Sequence, residues 1–536
     1  MSTYILGVNA GTATFHDAAA CLIDEEGTVL AYVEEERLSR VRHAVGTHMP
    51  TLAVDACLRT AGIEAHQVDA VAVGWDEPRL AAAAGRRWEF TSPSHFLAAL
   101  GLPHRPSLHF VPHHQAHAAS AFHASGAQDS AVVVIDGNGE SEATSLWRAR
   151  RGHPLVQVAI WPQATSLGHL YEAASAWLGL GKRGAGKTMG LAAYHTGQRP
   201  DPGWLRVGEH GVISALGDDP ALDYAATRAR WANQVTRFAG ATGPSHPPAT
   251  LPQDERAVRV AAAAQTTVET TVQWLVGQAR ALTGLEQVCI AGGVGLNCAT
   301  NGRLPGPVYA PPVPHDAGVA LGAAWTLAAP REPKVLDPYT GPAPGPVPDL
   351  GGGRAQEVEA ERVVDLLEQG KVVGVCRGRS EVGPRALGHR SFLALPTDEG
   401  MRAHMNRLKR REQWRPFGPL THREDHAWWE PSEHLHRYML GAAHLTQDGA
   451  ALMPAVRHHD GTTRPQQLPP GGEDLVWEVL EVLSQRGHAP VLLNTSFNGP
   501  GEPLVQSATQ ALACARRLGA DAVVLDQALV ELGGAT

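Results

Sequence analysis

Lysine is scarce. Lys and Arg together number 45 in this chain of 536 residues, and only five are Lys: Lys182, Lys187, Lys334, Lys371 and Lys409. A Lys that falls inside a motif is therefore less easily there by chance. Cysteine is also sparse. The six residues (Cys21, Cys57, Cys289, Cys298, Cys376, Cys514) are scattered and form no C-x-x-C pair. That excludes a disulfide framework and a zinc ribbon, and it leaves small buried apolar residues as their ordinary role. No apolar run approaches the roughly 18 residues that span a bilayer. The N-terminal MSTYILGVNAG has neither a basic n-region nor a long apolar core, so no signal peptide is expected. Nor is there an excess of positive charge. The net charge is −9, which excludes a chain whose main task is coating a nucleic-acid backbone but permits a local basic pocket. These absences lead to the expectation of a soluble, cytoplasmic protein with no membrane and no nucleic-acid partner. What is present is globular: 43% apolar and 18% charged residues, with 27 His. The length allows two to four domains.

Residues 328–353, AAPREPKVLDPYTGPAPGPVPDLGGG, carry seven Pro and end in three Gly. Neither a helix nor a central strand tolerates that density, so the stretch reads as an extended linker. It divides the chain into domains 1–327 and 354–536. Residues 241–253, polar and Pro-rich, read as a loop or insertion. The first domain opens with YILGVN, AAACLID and TVLAYVEEE, strand signals joined by tight polar turns. DAVAVGW, AVVVID and QVCIAGG follow, each β-branched and ending near Asp or Gly, with helical stretches near 165–180 and 255–283. The second domain alternates in the same way: a helix near 355–369, KVVGVC, a helix near 401–410, VLLNTS, a helix near 508–517 and DAVVLD. The fold class is α/β, with ligands expected at the carboxyl ends of strands. No internal sequence repeat is apparent.

Four constellations could carry chemistry. In VPHHQAHAASAF, His113 and His117 stand four apart, so on a helix both rings share a face and can reach one metal. Asp136 follows 19 residues after His117, at the end of a strand signal. Two solvated or core histidines fit the same spacing; two His and a carboxylate would suit a divalent metal such as iron. Next come the Gly-rich turns GVNAGTAT (7–14), IDGNGE (135–140), GAGKTMGLAAY (184–194) and AGGVGLN (291–297). Backbone can approach a phosphate closely there. Each alone is an ordinary turn, and the third is not a Walker loop. Together, at strand and helix boundaries, they resemble the split phosphate loops of the actin-like and sugar-kinase fold. Third is His16-Asp17, beside the first Gly turn, either a general base or a turn histidine with local hydrogen bonds. The nearby run EEERLSRVRH (34–43) is either a solvated charged edge or a buried ion-pair network. Fourth, GRSEVGPRALGHRS supplies Arg385 and Arg390, NRLKRREQWRPFGP supplies Lys409 and Arg415, DGTTRPQ supplies Arg464, and LNTSFN supplies Asn494 and Ser496. Cations among Gly, Pro and apolar residues suit a small phosphorylated substrate, although surface exposure is the usual fate of Arg.

Taken in order, FHDAAACL, EEERLSRVRH, HHQAHAASAF, DGNGE, GKTMGLAAY, GGVGLNCATNG, GPRALGHRS, LKRREQWRPFGP, DGTTRPQ and LLNTSFN resemble the O-carbamoyltransferases of the NodU/CmcH type. That family modifies nodulation factors and antibiotics, and the similarity runs through nearly the whole chain. The resemblance implies an N-terminal actin-like domain similar to threonylcarbamoyl-transferring proteins and a C-terminal YrdC-like domain. It implies a metal, iron in the family, held by His113, His117, Asp136 and Asp316, the last in PPVPHDAGVALGAA. Gly137, Lys187, Gly292, Gly293 and Asn297 would contact the nucleotide. His16 would take the acceptor's proton, with Asp17 beside it. Arg385, Lys409, Arg415, Arg464, Asn494 and Ser496 would bind carbamoyl phosphate. The co-substrates implied are ATP with Mg2+, carbamoyl phosphate and a small-molecule hydroxyl acceptor, by way of carbamoyl adenylate. A homodimer is compatible with the resemblance. The alternative is a tRNA-modifying threonylcarbamoyl or carbamoyl transferase, which the acidic charge disfavours. Two positions depart from the family pattern: Ala185 gives GAGK where G-E-G-K is usual, and His195 replaces the Gly that usually follows AAY.

Overall fold

The alternation of β-branched runs with helical stretches is realised as α/β structure. The computed structural model describes residues 3–11, 16–83, 85–102, 104, 106–208, 211–217, 224–350, 355–422, 427–430, 432–472 and 474–532. Residues 12–14 of the GVNAGTAT turn, Phe15 of FHDAAACL, and residues 351–353 at the end of the Pro-rich stretch lie outside the described residues. The chain forms two units, Met1–Ser39 with His43–Asp337, and Arg40–Arg42 with Pro338–Thr536.

The first unit holds two five-stranded sheets. In one, β1 (Tyr4–Asn9), β2 (Ala19–Asp24), β3 (Val29–Glu34), β4 (Val68–Val73) and β5 (Ser107–Phe110) run in the order β3-β2-β1-β4-β5. The first three form an antiparallel meander, and β4 and β5 join parallel. The β2–β3 turn is closed by Asp24, whose Oδ1 accepts from the N–H of Glu26 and Thr28, with Gly27 at φ 79°. The chain then forms β6 (Asp129–Ile135), β7 (Glu142–Arg150) and β8 (Val156–Pro162), a small hairpin β9 (Leu205–Gly208) and β10 (Gly211–Ser214), and β11 (Val288–Ala291) and β12 (Val308–Tyr309). The second sheet has the order β8-β7-β6-β11-β12, again a meander followed by two parallel strands. The topology is thus duplicated although the sequence shows no repeat, and this paired arrangement is that of the actin-like fold. Alternation of buried and exposed side chains sets which face of each strand is covered, and it does so without requiring the same residues.

Each sheet ends on a helix that packs between the halves: His113–Ala124 after β5 and Gly318–Leu327 after β12. They touch so closely that a Cβ on Gly322 would stand 1.7 Å from the Ala116 carbonyl oxygen. The long helix Glu255–Thr283 is bounded as its sequence suggests. Asp254 caps it by accepting from the Ala257 N–H at 3.0 Å, and Gly284 ends it at φ 72°. The hairpin β9–β10 and the helix Tyr224–Ala239 are additions that the short strand signals of this region did not reveal.

The second unit is built on an eight-stranded mixed sheet. Its strands are β13 (Ala355–Glu357), β14 (Val373–Cys376), β15 (Arg390–Ala394), β16 (Gly418–Thr421), β19 (Gln466–Gln467), β20 (Val491–Ser496), β21 (Ala522–Leu525) and β22 (Ala528–Glu531). A two-stranded pair, β17 (Ala443–His444) and β18 (Thr462–Thr463), stands apart. The order is β13-β22-β21-β14-β15-β20-β16-β19. Alternation along β21 shows the three layers: Ala522 and Val524 face the core of helices Ala360–Glu368 and Leu475–Gln485, while Val523 and Leu525 face that of Glu399–Leu408 and Ala508–Leu518. The start of this unit lies within the Pro-rich stretch. It forms no helix or central strand, yet it is hydrogen-bonded in place. Gly341 N–H donates to Ser380 O, Ala508 N–H donates to Pro344 O, and Arg379 donates to the carbonyls of Thr340 and Gly341. All six cysteines are buried and free. Among the described residues no helix is long and apolar enough to cross a membrane.

Candidate active site

His113 and His117 occupy the first turns of the helix after β5, Asp136 follows β6, and Asp316 precedes the helix after β12. The four ligand atoms lie within 4.8 Å of one another. His113 Nε2 is 3.1 Å from His117 Nε2, 3.2 Å from Asp136 Oδ2 and 3.7 Å from Asp316 Oδ1. His117 Nε2 is 3.5 Å and 3.6 Å from the same two oxygens. Neighbouring ligands about 2.1 Å from one ion stand roughly 3 Å apart, so the spacing fits a metal. The tautomer fits as well. Gly74 O can only accept, so its 3.0 Å contact with His113 Nδ1 puts the ring proton there and the lone pair on Nε2. Burial, which favours a neutral His113, is outweighed by hydrogen bonds and charge from Asp136 and Asp316, which push it up to about 10. Both carboxyls are held below their ordinary range, against burial, by the two histidines. Such a set attracts positive charge, and two imidazoles with two carboxylates suit a divalent first-row metal. His114, one residue on, turns away to Ser145 (2.7 Å), and burial lowers it to about 3.

Asp136 is itself aimed. Its Oδ1 accepts from the N–H of Gly137 (2.8 Å) and Gly293 (3.1 Å), which leaves Oδ2 to the histidines. Two of the glycines expected at a nucleotide therefore direct their amides to the Asp136 carboxylate. Gly292, at φ 87°, lies so near β6 that a Cβ would meet the Ile135 carbonyl oxygen at 2.1 Å. Asn297 exchanges hydrogen bonds with Gln265 and caps Cys298–Asn301 through Thr300 N–H. Lys187 is half-buried on the helix Ala185–Ala192, which no strand precedes.

His16 and Asp17 come to the same place from the loop after β1. His16 Nδ1 lies 2.9 Å from Asp17 Oδ2 and 3.8 Å from Asp316 Oδ2. An ionised carboxylate only accepts, so Asp17 fixes the Nδ1–H tautomer and leaves the lone pair on Nε2. Partial burial opposes protonation, but Asp17 and then Asp316 push His16 up to about 9. Two residues missed in the sequence join the halves of the site. Trp75 stacks on His113 (centroids 3.7 Å apart) and donates to Asn9 Oδ1 at 3.2 Å, and Asn9 Nδ2 donates to Asp17 O at 3.0 Å. Asn9 lies in the GVNAGTAT turn and Trp75 ends DAVAVGW, but only their positions at the carboxyl ends of β1 and β4 point to the site. The run EEERLSRVRH resolves toward the buried network: Arg37 is buried, 2.9 Å from Glu34 and 3.6 Å from Glu36.

In the second unit the structure sorts the basic residues. Arg390 is fully buried and directs its guanidinium to five backbone carbonyls, of Gln506, Arg377, His389, Pro342 and Gly378. It is a structural staple, because all five donors are occupied. Lys409 is buried too, with Nζ on Ser496 and Asn498, including Ser496 Oγ at 3.2 Å and Asn498 Oδ1 at 3.0 Å. Burial and Arg411 hold its amine well below the ordinary range. Arg411, missed in the sequence, is lowered by burial and by Arg415 and Arg464; Arg415 is lowered chiefly by burial. Arg410, at φ 47°, marks the turn that decides which of the consecutive arginines faces inward, and the motif alone does not disclose it. Asn494 Nδ2 donates to Ala386 O (3.0 Å), which brings the Arg385 loop against β20, and Gly418 pairs with Asn494. Arg464 Nε and Asn494 Oδ1 are buried without partners among the described residues. A gathering of cations with an unpaired donor and acceptor suits a small anion that also carries N–H groups.

Sequence families with the same character match both units: Carbamoyltransferase N-terminus over residues 94–325 and Carbamoyltransferase C-terminus over residues 364–532. Similar curated proteins include nodulation protein NolNO of Sinorhizobium fredii, 32% identical over 96% of this chain and 79% of the relative. Nodulation protein NolO of Bradyrhizobium diazoefficiens is 32% identical over 78% of each chain. Nodulation protein U of Rhizobium fredii is 34% identical over 46% of this chain and 43% of the relative. Among solved structures, component A of the (R)-2-hydroxyglutaryl-CoA dehydratase of Acidaminococcus fermentans is 13% identical with a TM-score of 0.35, covering 61% of this chain and 99% of that one.

Proposed function

The chain belongs to the carbamoyltransferase family, and from that premise we propose an ATP-dependent O-carbamoyltransferase that modifies a hydroxyl of a specialised metabolite. The second unit, YrdC-like in this reading, takes carbamoyl phosphate. Arg385, Arg411, Arg415 and Arg464 neutralise its phosphate, Asn494 Oδ1 accepts from its amide, and Lys409 holds the Ser496–Asn498 turn. Carbamoyl phosphate is hydrolysed to carbamate and phosphate. Carbamate then displaces pyrophosphate from ATP, giving carbamoyl adenylate.

Transfer belongs to the first unit. The acceptor hydroxyl oxygen bonds to the carbamoyl carbon, the bond from that carbon to the adenylate oxygen breaks, and AMP leaves. The hydroxyl proton passes to Nε2 of the neutral form of His16, whose tautomer Asp17 sets and whose share grows as pH rises toward 9; a positioned base contributes about 10²–10⁴-fold. His113, His117, Asp136 and Asp316 would hold a divalent metal, iron in the family, and such a metal supplies Lewis acidity toward phosphate or carbonyl oxygen. Lys187, Gly137, Gly292, Gly293 and Asn297 frame the nucleotide, the glycines by close approach of backbone. The observation that carries the reading is the 3.8 Å approach of His16 Nδ1 to Asp316 Oδ2, a candidate base against a metal-ligand set.

The test is a panel of hydroxyl compounds, including aminoglycosides, macrolactones and glycosides, incubated with the protein, ATP and carbamoyl phosphate. The expected results are a mass gain of one carbamoyl group on a panel member and pyrophosphate release that needs both co-substrates. Absence of pyrophosphate and of carbamoyl adenylate with both present refutes the proposal.

A further inference from the structure

The run EEERLSRVRH has no part in the reaction as proposed, yet it ends on a ring that touches the base's partner. His43 Nδ1 lies 2.9 Å from Asp17 Oδ1, and Asp17 N–H donates to His43 O at 2.6 Å. One side-chain bond and one backbone bond thus tie the two residues. Both adopt left-handed backbone, Asp17 at φ 56° and His43 at φ 59°. Residues with a Cβ rarely do so, and such strain persists only where the surroundings over-determine it. Here they do. His43 N–H donates to Glu36 Oε2 at 2.6 Å, Glu36 and Glu34 flank the buried Arg37, and His315 Nε2 lies 3.5 Å from Glu34 Oε1.

The two carboxylate oxygens of Asp17 are divided. Oδ2 takes His16 and Oδ1 takes His43. The torsion that turns an Asp carboxylate is broad, so one ring alone would leave the group free to swing. Two rings fix its plane, and with it the direction in which His16 points Nε2. We infer that His43 is a positioning residue for carbamoyl transfer: it locks Asp17, which sets the orientation and tautomer of His16. This rests on the reading of His16 as the base.

The test compares the full-length protein with its His16→Ala, His43→Ala and His43→Asn variants. Asn places an amide N–H near the position of Nδ1 and tolerates left-handed backbone. Transfer is measured with the panel alcohol that shows the largest mass gain, alongside pyrophosphate release. Acylation of His16 by diethyl pyrocarbonate, followed by peptide mass spectrometry, needs no acceptor. For His43→Ala we expect transfer kcat and the His16 acylation rate to fall about 10–100-fold, with acceptor KM and pyrophosphate release unchanged, and His43→Asn to recover to within about threefold of the unaltered protein. Unimpaired transfer in His43→Ala, where His16→Ala is inactive, overturns the inference and leaves the base reading intact. Equal loss in both His43 variants, or loss of pyrophosphate release in either, overturns it as well. Full transfer by His16→Ala overturns the base reading itself.

Discussion

Gly322 and Gly277 are both helical, and the same substitution should act on them with opposite sign. Gly277, exposed on the helix Glu255–Thr283, has no atom within 4 Å of where a Cβ would stand. Gly322 is buried on the helix Gly318–Leu327, where a Cβ would meet the Ala116 carbonyl oxygen at 1.7 Å, its carbon at 2.6 Å and the Ser120 nitrogen at 3.0 Å. These are backbone atoms and cannot rotate aside. Carbon and oxygen pack at about 3.2 Å, so the two helices must part by roughly 1.5 Å, and overpacking of this kind costs about 1–3 kcal/mol or more. Helix propensity returns about 1 kcal/mol at each site. Gly277→Ala should therefore stabilise by about 0.5–1 kcal/mol, while Gly322→Ala, whose clash with fixed backbone belongs in the upper part of that range, destabilises by a net of about 1–2 kcal/mol. The opposed helix carries His113 and His117, so Gly322→Ala should also lower the metal content. Urea denaturation of both variants, with metal measured by plasma mass spectrometry, checks this. Midpoints that shift in the same direction would falsify the close-approach reasoning, and unchanged metal in Gly322→Ala would separate the packing from the site.

Asp136→Asn tests the aiming of a ligand: the Gly137 and Gly293 amides will hold the amide oxygen, so the NH2 group must face the histidines, and bound metal should fall at least about tenfold by the same measurement. Arg390→Lys leaves two of five buried carbonyls without a donor and should destabilise the second unit by about 2–5 kcal/mol, read as an earlier denaturation transition with metal content unaltered. Asp254 is lowered in the fold because N–H bonds from Ala257, Ser245 and Arg256 outweigh burial. Its stabilising contribution is complete above its unfolded pKa and is lost as pH falls through the lower folded value, so stability measured from pH 6 to pH 2 should decline less steeply in Asp254→Asn; parallel curves would refute the assignment.

Local pattern made much of the fold legible. The helix 255–283 is bounded by an Asp cap and a Gly stop, and VLLNTS is the strand Val491–Ser496, because caps, glycines and apolar alternation act over a few residues. Short segments with partly exposed faces were not legible: β5, with its alternating exposure, and β8, half open to solvent, carry little pattern. Within the site, the resemblance implied that His113, His117, Asp136 and Asp316 meet at one metal, but spacing in the sequence offered only His113, His117 and Asp136 and no geometry for their meeting. Asp136 and Asp316 are far apart in sequence, and only the doubled strand order brings the ends of β6 and β12 to the helix of His113 and His117.

The chain alone therefore determined the α/β class, the motifs and the chemical types available: imidazoles, carboxylates, and guanidiniums set among glycines. These depend on composition and on spacing within one element. Tertiary structure decided direction. It separated Arg390, with every donor on a carbonyl, from the Arg411, Arg415 and Arg464 group, and His114 from its neighbour His113. It also decided between the two readings of EEERLSRVRH in favour of the buried ion-pair network and set His43 against Asp17. Where a side chain points depends on one turn of helix or one left-handed residue, and what it meets there comes from distant parts of the chain.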